Sequence, residues 1–195
     1  MIRVCVLGSI GSGKSFVSKL FNCPVFNADR VVNYIYRKDE NCFKKLRKTF
    51  PDHIKSSPVR KSELISAILS KNININKISK IVHPIVRKNM KNFLKEKKNS
   101  KMVVLDIPLL IENKLNKKGD ILIFVKTKRS KIIKRLKKRK NYNKKILDKL
   151  RSNQSSLLKK ERLSNYVVDN NFSANIMKKN IKVLKKKIIS ERNST

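Results

Sequence analysis

Short apolar runs alternate with longer amphipathic stretches along this chain, and the alternation predicts its elements. The runs are a few residues long and rich in β-branched side chains, which is typical of strands buried on both faces. They cover residues 2–7, 25–26, 102–106, 121–125 and 166–169. Helical spacing of apolar residues begins after Ser15 and recurs in 30–36, 41–50, 60–69, 78–98, 144–162 (in two pieces) and 173–189. Strands that alternate with helices predict an α/β fold with a parallel, doubly wound sheet.

Three stretches of the pattern are less regular. Residues 72–76 alternate between polar and apolar without a clear assignment. Pro84 is expected to begin or kink its helical stretch, because proline has no amide donor. The strongly basic segment 127–140 carries only a narrow apolar stripe, formed by Ile132, Ile133 and Leu136.

The first predicted strand leads into a phosphate-binding motif, Gly8-Ser-Ile-Gly-Ser-Gly-Lys-Ser15. It fits the G-x-x-x-x-G-K-[ST] pattern of P-loop NTPases, in the expected order of strand, loop and helix. The glycines let the backbone bend tightly, so that its amides and the positive helix end cradle phosphate oxygens. Lys14 would reach the β- and γ-phosphates, and the Ser15 hydroxyl would ligate Mg²⁺. The residues expected to bind ATP here are Gly11, Ser12, Gly13, Lys14, Ser15 and Phe16.

Two acidic residues follow predicted strands in the same way as the loop does. Asp29 comes after the second strand, where a helix N-cap would also lie, and Asp106 ends the third. Ligands of doubly wound sheets collect at the carboxyl ends of the strands. Both aspartates are therefore candidates for a site that includes the loop.

The composition is strongly basic, with 50 Lys and Arg against 13 Asp and Glu and a formal charge of +37. Such a charge favours binding to a polyanion such as nucleic acid. The basic residues are instead spread over most helices without interleaved aromatic residues, as compositional drift in an AT-rich genome would produce. We therefore expect no specific nucleic-acid partner, and a basic nucleic-acid-binding protein with a regulatory nucleotide site remains an alternative.

Length and cysteine content suggest an ordinary cytoplasmic domain. A chain of 195 residues supports one domain, 1–195. No apolar run is long enough to span a membrane, and the first residues form a strand, not a signal peptide. Cys5, Cys23 and Cys42 match no zinc pattern and are expected to be free thiols in a reducing cytosol.

Further motifs occur in the order found in the dephospho-CoA kinase family, and the chain resembles that family from Arg3 to about Asn171. The most diagnostic piece is Asp106-Ile-Pro-Leu-Leu-Ile-Glu112, which is similar to Asp-x-Pro-Leu-Leu-aromatic-Glu. The other similar pieces are Asn27-Ala-Asp29 (Asp-Ala-Asp), Arg60 followed by Leu64 (Arg-x-x-x-Leu), His83-Pro84 (His-Pro), Arg135-Leu-x-x-Arg139 (lid) and Val167-Val-Asp-Asn170 (Val-Ile-Asp-Asn).

The resemblance implies a fold and a reaction. The fold is that of a P-loop NTPase, with a five-stranded parallel sheet flanked by helices, a helical substrate-binding region and a small lid. The reaction is the ATP-dependent phosphorylation of the ribose 3′-hydroxyl of dephospho-CoA, with Mg²⁺, in a monomer or small homo-oligomer. The expected parts are a core (1–30, 100–128, 164–195), a helical insert (about 31–99) and a lid (about 129–163).

The resemblance also implies roles for single residues. Asp29 would orient and deprotonate the attacking hydroxyl, with helix capping as the alternative. Asp106 would hold Mg²⁺ through water or fix the loop that meets the substrate, with bonding to neighbouring amides as the alternative. Arg139 would cancel developing charge on the transferring phosphate, assisted by Arg135. Arg60, His83 and Leu109 would contact the substrate, and Asn170 would contact adenine.

The chain departs from the family pattern at four positions. Phe16 stands where Thr is usual, which removes a hydroxyl that could touch the α-phosphate. Asn27 replaces the first Asp of Asp-Ala-Asp, and Ile111 replaces the aromatic residue. If Gln154 is the family's Gln, Leu150 falls on an expected Arg, with Arg151 as the alternative after a change of register. These changes are consistent with an enzyme whose sequence has drifted and which still functions.

Two other classes of P-loop protein share part of this pattern. Kinases of nucleosides, nucleoside monophosphates or shikimate would share Lys14, Ser15 and Asp29, but would not account for Asp106-Ile-Pro-Leu-Leu. A GTPase switch is disfavoured, since no Asn-Lys-x-Asp stretch is present to bind guanine.

Overall fold

A five-stranded parallel sheet forms the centre of the computed structural model, which describes residues 1–71, 74–139 and 142–193. The strand order is β2-β3-β1-β4-β5, and each neighbouring pair is parallel. The fold class and the place of every strand are confirmed. The strands are β1 (Ile2–Gly8), β2 (Val25–Asn27), β3 (Met102–Asp106), β4 (Ile121–Lys126) and β5 (Tyr166–Asp169).

Helices follow the strands as the apolar spacing predicts, and α7 and α8 are the two pieces expected within 144–162. Residues 72–73 of the unassigned stretch 72–76, and residue 140 of the basic segment, lie outside the described residues. The helices are α1 (Lys14–Leu20), α2 (Ala28–Lys38), α3 (Glu40–Thr49), α4 (Lys61–Ser70), α5 (Asn74–Glu96), α6 (Arg129–Lys137), α7 (Lys144–Ser152), α8 (Leu157–Arg162) and α9 (Ala174–Asn193).

Helices α2 and α5 differ from the sequence expectation at Asp29 and Pro84. Helix α2 begins at Ala28, so Asp29 lies in its first turn and not at the N-cap. Helix α5 begins at Asn74 and continues through Pro84, so the proline does not begin a segment. The continuation is explained by side chains four residues apart, including Val82 and Val86, which are buried on both sides of the proline.

The core is built on the central strands β1 and β3. Val4 and Val6 of β1, together with Val104 of β3, are fully buried. Helices α1 and α9 pack against this cluster through Val17, Phe21, Met177, Ile181 and Ile188. Apolar residues on consecutive positions of these strands are therefore explained by burial of both faces of the sheet.

The register of the sheet gathers the loop and the polar residues at one edge. Gly8 is level with Val125, Asn27 with Asp106, and Lys126 with Asp169. The next residues along the chain, including Thr127 and Asn170, leave the sheet at the same edge. This edge is the ligand-binding edge of an open α/β sheet.

The contacts divide the chain into two compact units. Unit 1 comprises 1–27, 97–142 and 154–195, and unit 2 comprises 28–96 and 143–153. Unit 1 contains the whole sheet with α1, α6, α8 and α9. In unit 2, α5 packs against α2, α3 and α4, and α4 packs against α7. The segment predicted as a lid, about 129–163, contributes to both units, and its action as a lid stays a prediction.

The cysteines are free thiols, as expected. Burial raises the pKa of Cys5 and Cys23 and raises the pKa of Cys42 to about 11. A raised pKa favours the protonated thiol near neutral pH, which lowers its reactivity. Among the described helices, none combines the length and the apolar character that crossing a membrane requires.

Candidate active site

The loop between β1 and α1 has the backbone of an anion cradle. Gly11 has a φ of 87° and Gly13 a φ of 95°, values that L-residues with a side chain rarely adopt. A Cβ atom on Gly13 would also lie 2.4 Å from Asn170 Nδ2. The N–H groups of Gly11 and Gly13 have no acceptor within the described part of the chain. They are available to phosphate oxygens.

Two side chains that follow neighbouring strands hold the loop at its Ser12 carbonyl. Asn170 Nδ2 donates to the Ser12 carbonyl at 2.8 Å, and the Thr127 hydroxyl donates to the same oxygen at 3.1 Å. Asn170 is only 3% exposed, and its Oδ1 accepts from the Phe172 amide at 2.9 Å. The structure thus places Asn170 against the loop backbone, where it holds the cradle in shape.

Lys14 provides the positive charge of the loop. Its side chain is 8% exposed, and Nζ donates to the carbonyls of Gly8 at 3.1 Å and Ser9 at 2.8 Å. These bonds fold the long side chain back over the loop. A largely buried ammonium interacts strongly with a bound anion, since little water screens it.

A polar bridge connects the loop to strand β3. Asn27 Nδ2 donates to Asp106 Oδ2 at 2.5 Å and lies 3.4 Å from the Ser15 hydroxyl oxygen. Asp106 is 2% exposed. The bridge therefore brings together Ser15 and Asp106, the two residues expected to hold Mg²⁺. Asn27, which stands where the family pattern has Asp, is the residue that joins them.

The bridge leads to a prediction for Asn27→Asp. The change puts a second carboxylate at hydrogen-bond distance from buried Asp106, and uncompensated charge there costs about 3–5 kcal/mol. In EDTA the melting temperature of the variant should fall by about 6–20 °C, and 10 mM Mg²⁺ should restore part of the loss. Asn27→Ala is the control, because it removes the donor without adding charge and should gain little from Mg²⁺. Equal melting temperatures for Asn27→Asp and the parent chain in EDTA would contradict the bridge.

A cavity of about 450 Å³ adjoins the loop at its helix end. Phe16, Arg135 and Phe172 line it, together with three lysines of the 131–138 segment. The Arg135 guanidinium lies over the Phe172 ring, 4.8 Å from its centroid, and its NH1 is 3.5 Å from the Gly11 carbonyl. Arg135 thus approaches both the loop and the cavity. Arg139 is exposed just after α6.

The remaining predicted residues lie elsewhere. Leu109 is half-buried in the turns after β3 within unit 1, where its carbonyl accepts from the Asn113 amide at 3.1 Å. Asp29, Arg60 and His83 belong to unit 2. His83 is half-buried near the middle of α5, whereas Asp29 and Arg60 are exposed.

The backbone at Arg60 is held by Glu63. The Glu63 carboxylate accepts from the Arg60 amide at 3.0 Å, from the Lys55 and Ser56 amides and from the Ser56 hydroxyl. Burial acts to raise the pKa of Glu63, but these hydrogen bonds outweigh it and lower the pKa to about 2. Because the folded-state pKa is depressed, this stabilisation is present above about pH 4.5 and is lost as the pH falls towards 2.

A buried ion pair fixes the turn segment that carries Leu109. Lys160 Nζ lies 2.8 Å from Glu112 Oε1, with side chains 1% and 14% exposed. The same oxygen accepts from the Ser155 amide at 2.7 Å. The last residue of the Asp106–Glu112 motif therefore anchors the motif to the chain before α8.

The ion pair predicts a large loss of stability for Glu112→Gln. The change leaves the Lys160 charge buried without a counter-charge, which costs about 3–5 kcal/mol. The control is Glu161→Gln, which breaks an exposed pair with Lys126 (2.7 Å, 54% and 28% exposed) and should cost about 0–1 kcal/mol. Urea unfolding of both variants measures the difference. Equal losses would show that Glu112 is not paired in solution.

Comparison with known sequences decides the family. Residues 2–175 match the sequence model described as Dephospho-CoA kinase. The chain belongs to the dephospho-CoA kinase family. A curated family member from Wolbachia sp. subsp. Brugia malayi (strain TRS) is 33% identical over 171 residues, which cover 85% of this chain and 87% of that protein.

Solved structures agree with the fold of this dephospho-CoA kinase family member. The crystal structure of TT1252 from Thermus thermophilus matches with a TM-score of 0.77 and 22% identity, over 97% of both chains. The dephospho-CoA kinase from Campylobacter jejuni matches with a TM-score of 0.68 and 18% identity, over 97% of this chain and 98% of that one. At these identities the likeness shows the fold.

Four contributors to the site were not assigned a role from sequence. Thr127 could have been found by its place after a predicted strand. Asn27 was identified only as a departure from the family pattern, and Glu112 only as part of a motif. Phe172 gave no signal, because nothing in the sequence shows that its φ is 67°.

Proposed function

We propose that this chain transfers the γ-phosphoryl group of ATP to the ribose 3′-hydroxyl of dephospho-CoA, giving CoA and ADP. Family membership supports the reaction. The single observation that carries the proposal is the bridge from Ser15 through Asn27 to Asp106, at 3.4 and 2.5 Å. It joins the phosphate-binding loop to the most diagnostic motif of the family.

The loop would bind the triphosphate. Phosphoryl transfer depends on positioning and charge neutralisation more than on covalent chemistry. Amides of the loop and the Lys14 ammonium supply both, because they are fixed before the substrate arrives. Asn170 and Thr127 contribute by holding the Ser12 carbonyl, so that the cradle does not need to form around the ligand.

The polar bridge fits a magnesium ion. Mg²⁺ prefers oxygen ligands and is usually bound by one or two carboxylates together with substrate phosphates and waters. Ser15 and Asp106 supply a hydroxyl and a buried carboxylate on either side of one amide group. These two residues would hold the ion, which when bound would neutralise charge on the phosphates.

The acceptor side is proposed from the family pattern. Asp29 would orient the 3′-hydroxyl and accept its proton as the oxygen bonds to the γ-phosphorus. The bond from that phosphorus to the bridging oxygen breaks, and ADP leaves with the electron pair. Arg60, His83 and Leu109 would contact dephospho-CoA.

The basic segment after β4 would cover the donor. Arg135 NH1 lies 3.5 Å from the loop carbonyl of Gly11, which supports a role for this guanidinium beside the bound phosphates. Arg139, one turn further along, would cancel the charge that develops on the transferring group. Its exposure leaves it able to move when nucleotide binds.

The alternative acceptors give the test of the proposal. ADP release is followed in a coupled assay with dephospho-CoA, adenosine, AMP or shikimate as acceptor. We expect dephospho-CoA to be preferred by at least about 10³ in kcat/KM, since a site that hydrogen-bonds its substrate rejects analogues lacking those groups by large factors. Comparable turnover of AMP or shikimate would contradict the proposal and favour another small-molecule kinase.

A further inference from the structure

The cavity beside the loop offers a nucleotide base two aromatic faces and several cations. Its described lining includes Phe16, Phe172, Lys131, Lys134, Arg135 and Lys138. It adjoins the phosphate cradle directly, since a Cβ atom on Gly13 would lie 3.4 Å from Arg135 NH1 and 3.5 Å from Phe172 Cε1. A base attached to phosphates in the loop would therefore enter this cavity.

The lining has few side-chain groups that can distinguish one base from another. Among its described residues, no side chain carries a carboxylate, an amide or a hydroxyl. The nearby amide of Asn170 is engaged with the Ser12 carbonyl at 2.8 Å and the Phe172 N–H at 2.9 Å. The lysines and Arg135 are donors on flexible side chains, which can follow the acceptors of any base.

Phe172 adopts a backbone conformation that is unfavourable for a bulky residue. Its φ is 67°, in the left-handed region that normally favours glycine. The conformation brings the ring under the Arg135 guanidinium and into the cavity lining. Backbone strain of this kind is retained where the surrounding structure or a function requires it.

We infer that the chain holds the base of its phosphoryl donor by stacking and cation–π contact, and accepts nucleoside triphosphates with little regard to the base. Every base has a π-face, so stacking on aromatic rings tolerates all of them. Strong rejection instead needs buried polar groups that a wrong ligand leaves unpaired. The inference rests on the proposed function and defines its donor class.

The reaction is the same for every donor. The γ-phosphoryl group of the nucleoside triphosphate passes to the acceptor hydroxyl. The products are a nucleoside diphosphate, the phosphorylated acceptor and a proton. The donor range is therefore measured with one acceptor, dephospho-CoA, held at saturation.

The test compares ATP, GTP, CTP and UTP as donors. We expect their kcat/KM values to lie within about tenfold of one another, with purines ahead because they stack over a larger area. A preference for ATP of more than about 100-fold over each of the others would overturn the inference and leave the proposed function intact. Absence of turnover with all four donors would instead contradict the proposed function.

Variants of the two rings separate a binding role from a structural one. Phe172→Gly suits the φ of 67° and should keep its melting temperature within a few degrees, while KM rises about tenfold for all four donors. A lower melting temperature with unchanged donor KM would show that the ring is merely structural.

Phe16→Ala tests the second ring, which is 36% exposed. It should raise the KM of the same four donors, and it leaves the strained backbone at Phe172 unchanged. Tyr34→Ala, at a ring 65% exposed on α2, is the control and should leave donor KM unchanged.

Discussion

Lys14→Ala should lower kcat by about 10³-fold, because it removes the one ammonium group that the loop holds ready for the transferring phosphoryl group. The side chain is largely buried and bonded to the Gly8 and Ser9 carbonyls, so its charge is already in place before ATP binds. The effect should be on kcat more than on KM, since charge on the phosphoryl group develops in the transition state. Steady-state kinetics with dephospho-CoA measure both constants.

The control for Lys14 is an exposed lysine of the same helix. Lys19→Ala changes the last turn of α1 and should leave kcat within about twofold, as surface substitutions usually do. Circular dichroism should show both variants folded, because Asn170 and Thr127 still hold the loop at Ser12. Normal turnover by Lys14→Ala would show that the loop does not bind the phosphoryl donor.

Asp29→Asn should lower kcat by about 10²–10⁴-fold, the range that a general base contributes. Asparagine has nearly the same shape and can still orient the hydroxyl, but it cannot accept the proton. KM for dephospho-CoA should therefore change by less than about threefold. The comparison needs saturating ATP, so that only the acceptor side varies.

A structural role for Asp29 gives a different result. As an acidic residue in the first turn of α2, Asp29 also interacts favourably with the helix dipole, which is worth about 0.3–1 kcal/mol. If this is its whole role, Asp29→Asn loses that stability and retains kcat. Asp52→Asn, in the exposed turn after α3, is the control for loss of one negative charge from unit 2.

The sheet could be predicted because burial on both faces leaves a local signal. Strand β3 (Met102–Asp106) is a short apolar run that is buried at every position, and the loop is defined by glycines at fixed spacing. These signals need only neighbouring residues. The edge position of Asp106 follows from them, since parallel strands have their carboxyl ends together.

Contacts between distant parts of the chain could not be predicted in the same way. The bridge from Asn27 to Asp106 depends on β2 pairing with β3 in register, which no local pattern encodes. The ion pair of Glu112 with Lys160 likewise depends on tertiary packing. Phe172 was missed because its backbone conformation is imposed by its surroundings and not by phenylalanine itself.

The residues proposed to bind the phosphoryl donor contact one another within unit 1. The loop, its supports Thr127 and Asn170, and the bridge at Asn27 are joined by hydrogen bonds within one unit. Arg60 and His83 belong to unit 2, and their contacts with dephospho-CoA rest on the family pattern. Kinetics of the acceptor side will test that part of the proposal.

The most direct measurement is the position of the new phosphate in the product. Dephospho-CoA and ATP are incubated with the chain, and the product is examined by ³¹P and ¹H NMR. We expect a phosphomonoester on the ribose 3′ carbon, formed in equal amount with ADP, and no product from the 3′-deoxy analogue. A phosphate at the 2′ position, continued phosphorylation of the 3′-deoxy analogue, or ADP formed without any phosphorylated acceptor would contradict it.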